Sequence, residues 1–192
     1  MTEPHIVALA GSLRTGSYTR LATTRALATA EAAGATTELL DLREYDLPMF
    51  DPDRDEPGDS ARLTADVDAA DSILLASPMY HGSYSGVLKN AIDYCGFDEF
   101  EAKTVGLLAV SGGSFPLTTL EHLRSVCRAL NAWVIPHQAA IPNGRQAFAD
   151  GEIVDERTAD RVDTLGRRLV QYADIEPNTS TFEGDHNEGA AQ

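Results

Sequence analysis

Between Gly11 and Thr19 the chain reads GSLRTGSYT, glycines, hydroxyls and one arginine set directly after an apolar run and before a helical pattern. A strand that turns straight into a helix presents unpaired N–H groups and the positive end of the helix dipole, a seat for an anion. Ser12, Ser17 and Thr19 add hydroxyl donors, and the guanidinium of Arg14 can form charge-assisted bonds to phosphate. A helix terminus alone contributes about 0.3–1 kcal/mol, so holding a dianion on a chain of net charge -15 calls for the arginine and hydroxyls as well. The chemistry this suits is binding of a phosphate monoester. The same residues also suit a plain Ser17 cap with Arg14 in solvent, and the turn by itself leaves both open.

Two further stretches offer related chemistry. SPMYHGSYSG, from Ser77, follows an apolar run and turns at Tyr80, His81 and Gly82; SGGSF, from Ser111, follows another, and Gly112 and Gly113 let backbone approach a flat ligand closely. One loop for phosphate and two with main-chain donors outline a site for a phosphorylated flat ring.

Other chemistries lack their residues. Gly11 and Gly16 have Walker-like spacing, but Ser17 and Tyr18 stand where Lys-Ser/Thr is required, and no G-x-G-x-x-G is present. There is no G-x-S-x-G nucleophile elbow, and DPDRDEPGD lacks the glycine and glutamate of a calcium loop. Cys95 and Cys127 are far apart, without C-x-x-C or histidines at ligand spacing, so no metal is expected and both read as small hydrophobes within helices. No side chain stands out as a catalytic acid, base or nucleophile.

The elements that must position these loops alternate regularly. Apolar runs at 6–12, 36–42, 72–78, 104–111 and 133–141 read as strands, and helical spacing falls at 17–33, 86–95, 117–130 and 155–173. In the first helix the alanines at 22, 26, 30 and 33 repeat on one face; in the last, Val162, Leu165, Leu169 and Tyr172 do. Runs apolar on both faces, separated by amphipathic helices, predict a parallel sheet covered on both sides. The expected fold is α/β: a flavodoxin-like, doubly wound, five-stranded parallel sheet of order 2-1-3-4-5 in a three-layer α/β/α sandwich. Its ligand site lies outside the carboxyl ends of the strands, where the order reverses, so the loops after strands one, three and four should converge.

The 192 residues suit one domain, assigned to 1–175, with an acidic tail over 176–192 where apolar content collapses. Residues 45–59, rich in Pro, Asp and Gly, read as a long surface loop, a lid or an oligomer contact. A net charge of -15 with no basic run excludes nucleic acid as a partner, and lysine occurs only at Lys89 and Lys103. Such a surface fits a salt-adapted cytoplasm. The absence of a signal-like start or a membrane-length apolar run predicts a soluble cytoplasmic protein.

The three loops together carry a family likeness. Gly-Ser-x-Arg-x-x-Ser, then Pro-x-Tyr-x-x-Ser with Gly-x-Leu-Lys-Asn-Ala-Ile-Asp, then Ser-Gly-Gly resembles the NADPH-dependent FMN reductase family of quinone, azo-compound and chromate reductases, from about Ile6 to Leu169. The resemblance implies an NAD(P)H oxidoreductase that passes hydride from NADPH or NADH through bound FMN to a small acceptor. It implies that Ser12, Arg14, Ser17 and Thr19, with the Tyr18 main chain, bind the FMN phosphate. Pro78, Met79, Tyr80 and His81 then line the ribityl chain and ring, and Ser111, Gly112 and Gly113 approach from the other side. The helix Leu88 to Asp93 is structural, and a homodimer or homotetramer is implied. Thr19 and His81 stand where relatives often carry asparagine, and Ser114, Phe115 and Pro116 replace further glycine. The competing reading is a flavodoxin-like electron carrier without a nicotinamide site.

Overall fold

The computed structural model of the chain describes residues 3–173 and 175. The elements are β1 (His5–Ala10), α1 (Tyr18–Ala32), β2 (Thr36–Asp41), α2 (Ser60–Asp68), β3 (Ser72–Pro78), α3 (Gly86–Asp93) and α4 (Phe97–Phe100). They continue with β4 (Thr104–Val110), α5 (Leu117–Ala129), β5 (Trp133–Ile141), α6 (Gly144–Ala147), β6 (Phe148–Ala149), β7 (Glu152–Ile153) and α7 (Glu156–Gln171). β1 to β5 form one parallel sheet of order 2-1-3-4-5, as the sequence predicts, and β6 and β7 form a small antiparallel pair.

Burial follows the composition of each strand. Every residue of β3 and β4 is buried, because helices cover both faces of these central strands, whereas β2 and β5 at the sheet edges mix exposed, half-buried and buried positions. Pro136 is tolerated in β5 because it is an edge strand, and the pairing of β4 with β5 slips between Val105 and Leu107. On one face Val7, Leu9, Ile73, Leu75 and Leu107 pack against Leu63 and Val67 of α2, Leu88 of α3 and Leu120 and Leu123 of α5. On the other, Ile6, Ala8, Leu74 and Leu108 pack against the small face of α1 and Val162, Leu165 and Leu169 of α7. These are the three layers.

Several boundaries move. α2 has no counterpart among the predicted helices, since SARLTADVD buries only Ser60, Leu63 and Val67. α3 stops at Asp93, so Cys95 lies just past the helix, while Cys127 is inside α5. Both cysteines are buried, and burial pushes their thiols up to about 12. Ala33 and Tyr172, expected on helical apolar faces, are the exposed caps of α1 and α7. The proposed tail at 176–192 lies outside the described residues.

The 45–59 segment has no regular secondary structure but is firmly pinned. Phe50 N–H donates to Asn90 Oδ1 at 2.8 Å, Asn90 Nδ2 to Pro48 O at 2.8 Å, and the Tyr94 hydroxyl to Pro48 O at 2.8 Å. Its neck closes where Asp46 N–H meets Asp59 Oδ2 at 2.8 Å and Asp59 N–H meets Asp46 O at 2.9 Å. Asn90 thus explains why a polar residue is buried on α3: it ties this segment to the helix.

A fork between α1 and α7 sets an acid sensitivity. Arg25 Nε and Nη2 each donate to Asp163 at 2.7 Å, and Thr29 Oγ1 adds a bond at 3.2 Å. These bonds, Arg25 first, hold the Asp163 carboxyl below its ordinary value. A carboxyl with a depressed folded value stabilises above the unfolded range near 4 and loses that contribution as pH falls through the folded value. Asp163→Asn should cost about 1 kcal/mol at pH 7 for this partly exposed pair, and thermal melts should show the gap from wild type closing below about pH 4.

Candidate functional site

The strand order reverses between β1 and β3, and the loops leaving β1, β3, β4 and β5 meet at that sheet edge. Gly11 N–H donates to Ala76 O at 2.9 Å, and Ser85 Oγ donates to Gly11 O at 2.6 Å while accepting from Leu88 N at 3.2 Å. Ser85 therefore caps α3 and ties the first loop to it. Met79 N–H donates to Val110 O at 2.7 Å, Ser111 N–H to Ile141 O at 3.0 Å, and Gly144 N–H to Ser111 O at 2.8 Å. An ideal Cβ on Gly144 would lie 3.3 Å from the Tyr18 ring, so the loop after β5 closes the circle back to the first.

The first loop holds its donors open. From Ser12 through Thr19, no main-chain N–H donates to any group of the described residues, although Arg20 N–H is satisfied by Ser17 Oγ at 3.1 Å. Ser17 is the N-cap of α1, and its hydroxyl accepts through a lone pair while keeping a proton to donate. The hydroxyls of Ser12 and Thr19 and the exposed guanidinium of Arg14 make no hydrogen bond or ion pair among the described residues. Of the readings left open by the sequence, the Ser17 cap is present, and it leaves the other donors of the loop without acceptors among the described residues. The Tyr18 ring is engaged away from the loop, stacked on Phe148 with centroids 5.0 Å apart.

In the loop after β3, Tyr80 and Ser83 exchange two backbone bonds, at 2.9 and 3.1 Å, around His81 and Gly82. Their φ values of 49° and 84° are both left-handed, the conformation of a tight primed turn, which glycine takes freely and histidine rarely. Pro78 lacks an N–H and closes β3 opposite Val110, and the Met79 and Tyr80 N–H groups are used internally. The donors this loop leaves without acceptors among the described residues are those of His81, Gly82 and Tyr84. Ser83 Oγ meets His122 Nδ1 at 2.9 Å, anchoring the turn to α5.

After β4, Ser111 Oγ donates to Gly113 O at 2.5 Å, and Asn143 N–H donates to the same carbonyl at 2.9 Å. The N–H groups of residues 112–115 have no acceptor among the described residues. An ideal Cβ on Gly112 or Gly113 meets nothing within 4 Å, and neither has a left-handed φ. The fold itself does not require glycine there.

Sequence reasoning misses Ser85, Gly144 and Arg20. Arg20, on the first turn of α1, donates through Nη2 to Arg14 O at 3.2 Å and to Thr15 O, and its Nη1 lies 3.6 Å from Asp41 Oδ2. Asp41 closes β2, and hydrogen bonds from Arg43 hold its carboxyl below the ordinary range, with Arg20 adding attraction. A basic residue one turn into a helix gave no sequence signal beyond an exposed helical face.

A parallel sheet of order 2-1-3-4-5 with helices on both faces defines a flavodoxin-like α/β protein. The NADPH-dependent FMN reductase family matches over residues 4–146, and the chain belongs to that family. Among curated relatives, it is 41% identical over 109 residues to FMN-dependent NADPH-azoreductase of Staphylococcus aureus, a match covering 54% of this chain and 58% of the relative. The match therefore spans little more than half the length of that relative. Among solved structures the fold is similar to FerB, a flavoenzyme NAD(P)H:(acceptor) oxidoreductase from Paracoccus denitrificans, with TM-score 0.74 and 22% identity over 88% of this chain and 97% of that one. An NADH:FMN oxidoreductase in apo form gives TM-score 0.75 and 20% identity over 92% and 93% of the two chains.

Proposed function

We propose that the protein is an FMN-dependent NAD(P)H oxidoreductase that delivers electrons to a small acceptor such as a quinone, an azo or nitro compound, a metal ion or free flavin. The observation that carries this reading is the run of unaccepted N–H groups from Ser12 through Thr19 beside the unpartnered Arg14, in a chain of this family. The residues fit a terminal phosphate: hydroxyls, main-chain donors and one guanidinium gathered at a helix start. Ser12, Arg14, Ser17 and Thr19, with the Tyr18 main chain, would hold that phosphate. Bound FMN would supply the redox chemistry, taking hydride from a nicotinamide nucleotide and passing electrons on.

The rest of the edge orients and polarises. Pro78, Met79 and Tyr80 would form one wall, and the His81 and Gly82 N–H groups, without acceptors among the described residues, would serve as donors for a polar ring edge. Gly112 and Gly113 keep the opposite wall flat, with the fixed Ser111 hydroxyl behind them. Donors fixed before the ligand arrives need no reorganisation when negative charge grows on a ring. No side-chain acid or base is assigned, since the chain's part is to bring donor and acceptor into contact.

We further read residues 1–175 as one FMN-binding domain, working as a homodimer or homotetramer in the cytoplasm. Among the described residues no helix is long and apolar enough to cross a membrane. The charge of -15 supports adaptation to high salt, where repulsion between carboxylates is screened.

The test is an absorbance spectrum of purified protein with FMN, taken in dilute buffer and in high KCl, followed by anaerobic NADPH and then NADH. Flavin bands bleached within seconds by one nucleotide, more completely folded in KCl, are the expected result. Bands that neither nucleotide bleaches would point to an electron carrier instead, and full stability in dilute buffer would remove the salt-adaptation reading.

A further inference from the structure

The phosphate loop needs support on its far side, and Arg20 supplies it. In a trans peptide the C=O of one residue and the N–H of the next lie in one plane and point in opposite directions. The described residues contain no cis peptide, and Arg20 Nη2 takes the carbonyls of both Arg14 and Thr15. The N–H groups of Thr15 and Gly16 are thereby turned away from the guanidinium, toward the open side of the loop, where neither meets an acceptor among the described residues.

Arg20 differs from Arg14 in kind. Its side chain is only 17% exposed, and Nη1 is buried with no hydrogen-bond partner among the described residues, 3.6 Å from the buried Asp41 carboxylate. Asp41 in turn accepts from Arg43 Nε at 2.9 and 3.0 Å. A guanidinium placed in this way holds the loop from behind through Nη2 while Nη1 faces Asp41, a two-ended geometry a lysine cannot reproduce in full.

We propose that Arg20, held by Asp41, is a positioning residue that aims the Thr15 and Gly16 amides at the ligand phosphate and so sets the preference for a phosphorylated flavin over its phosphate-free form. This rests on the FMN reading above. Arg20 does not touch the phosphate; it acts through the loop.

Apoprotein titrated with FMN and, separately, with riboflavin, followed by flavin fluorescence, tests it. Arg20→Met should weaken FMN at least about tenfold while leaving riboflavin within about twofold, because only the phosphate loses aligned donors. Arg20→Lys, with one cationic head for two carbonyls, should restore part of the FMN to riboflavin ratio. Equal losses for both flavins, or an unchanged ratio, would overturn the inference while leaving the FMN reading intact. Wild-type protein that binds no FMN would overturn both. Should Arg20→Met fail to fold by thermal melt, Asp41→Asn keeps the local shape and should still lower the ratio, and no change in it there would count equally against the role.

Discussion

Gly166→Ala should lower the melting temperature by about 4–8 °C, although alanine is the better helix former. Gly166 sits in the middle of α7 on the face that meets α1, and an ideal Cβ there would lie 2.2 Å from Ala26 O and 3.1 Å from Thr29 Cβ. The nearest atom is backbone, so no rotamer change makes room; the two helices must part. Alanine gains about 1 kcal/mol in helix propensity over glycine. Overpacking against a rigid backbone costs about 3 kcal/mol, and the remaining 2 kcal/mol translates to the stated shift for a chain of this size. The same displacement pulls Arg25 from Asp163, which lies one turn before Gly166 and shares two 2.7 Å bonds with it. Scanning calorimetry of the two proteins is the measurement, and a melting temperature equal to or above wild type would mean that the α1–α7 seam yields cheaply.

Gly166 also shows what a sequence hides. An isolated glycine in a helical pattern reads as a mild cost, and only the position of a neighbouring carbonyl shows that a side chain is forbidden. The strands were legible for the opposite reason. SILLASP and WVIPHQAAI match β3 and β5 residue for residue, because a run of apolar, β-forming residues is itself the physical cause of the element, and the edge position of β5 tolerates its proline. α2 escaped because its stripe is short and follows an Asp-rich segment, so the burial of Leu63 and Val67 depends on partners elsewhere in the chain.

The site divides along the same line. Ser12, Arg14, Ser17 and Thr19 could be read directly, since a strand-to-helix turn carries its meaning locally, and the structure has that turn between β1 and α1 with Ser17 as the cap. Pro78, Met79, Tyr80 and His81 were expected to line the ligand; the Met79 and Tyr80 N–H groups are taken by Val110 and Ser83, and those of His81, Gly82 and Tyr84 have no acceptor among the described residues. The Met79 pairing joins segments that no local pattern connects. Arg20 and Asp41, 21 positions apart, meet only because β2 lies beside β1 and both end at the same edge.

Gly11→Ala should abolish measurable flavin binding at concentrations that saturate wild type, a loss of about a hundredfold or more, while the protein still folds. An ideal Cβ at Gly11 would lie 2.7 Å from both Leu88 Cβ and Ser85 Oγ, each belonging to a fully buried residue. Ser85 cannot turn aside without giving up its bonds to Gly11 O and Leu88 N, so the first loop must lift off α3. Overpacking of this kind costs about 1–3 kcal/mol of stability, which a domain of this size tolerates. Its effect on the ligand is larger, because on the proposed FMN reading a shift of about 1 Å separates the first-loop donors from those at His81 and Gly82, and one ligand must reach both. Gly16→Ala is the contrast: a Cβ there meets nothing within 4 Å and φ is not left-handed, so its melting temperature should match wild type. Fluorescence titration with FMN beside thermal melts of both variants decides the matter. Wild-type affinity in Gly11→Ala would show that the seam between the first loop and α3 does not position the phosphate site.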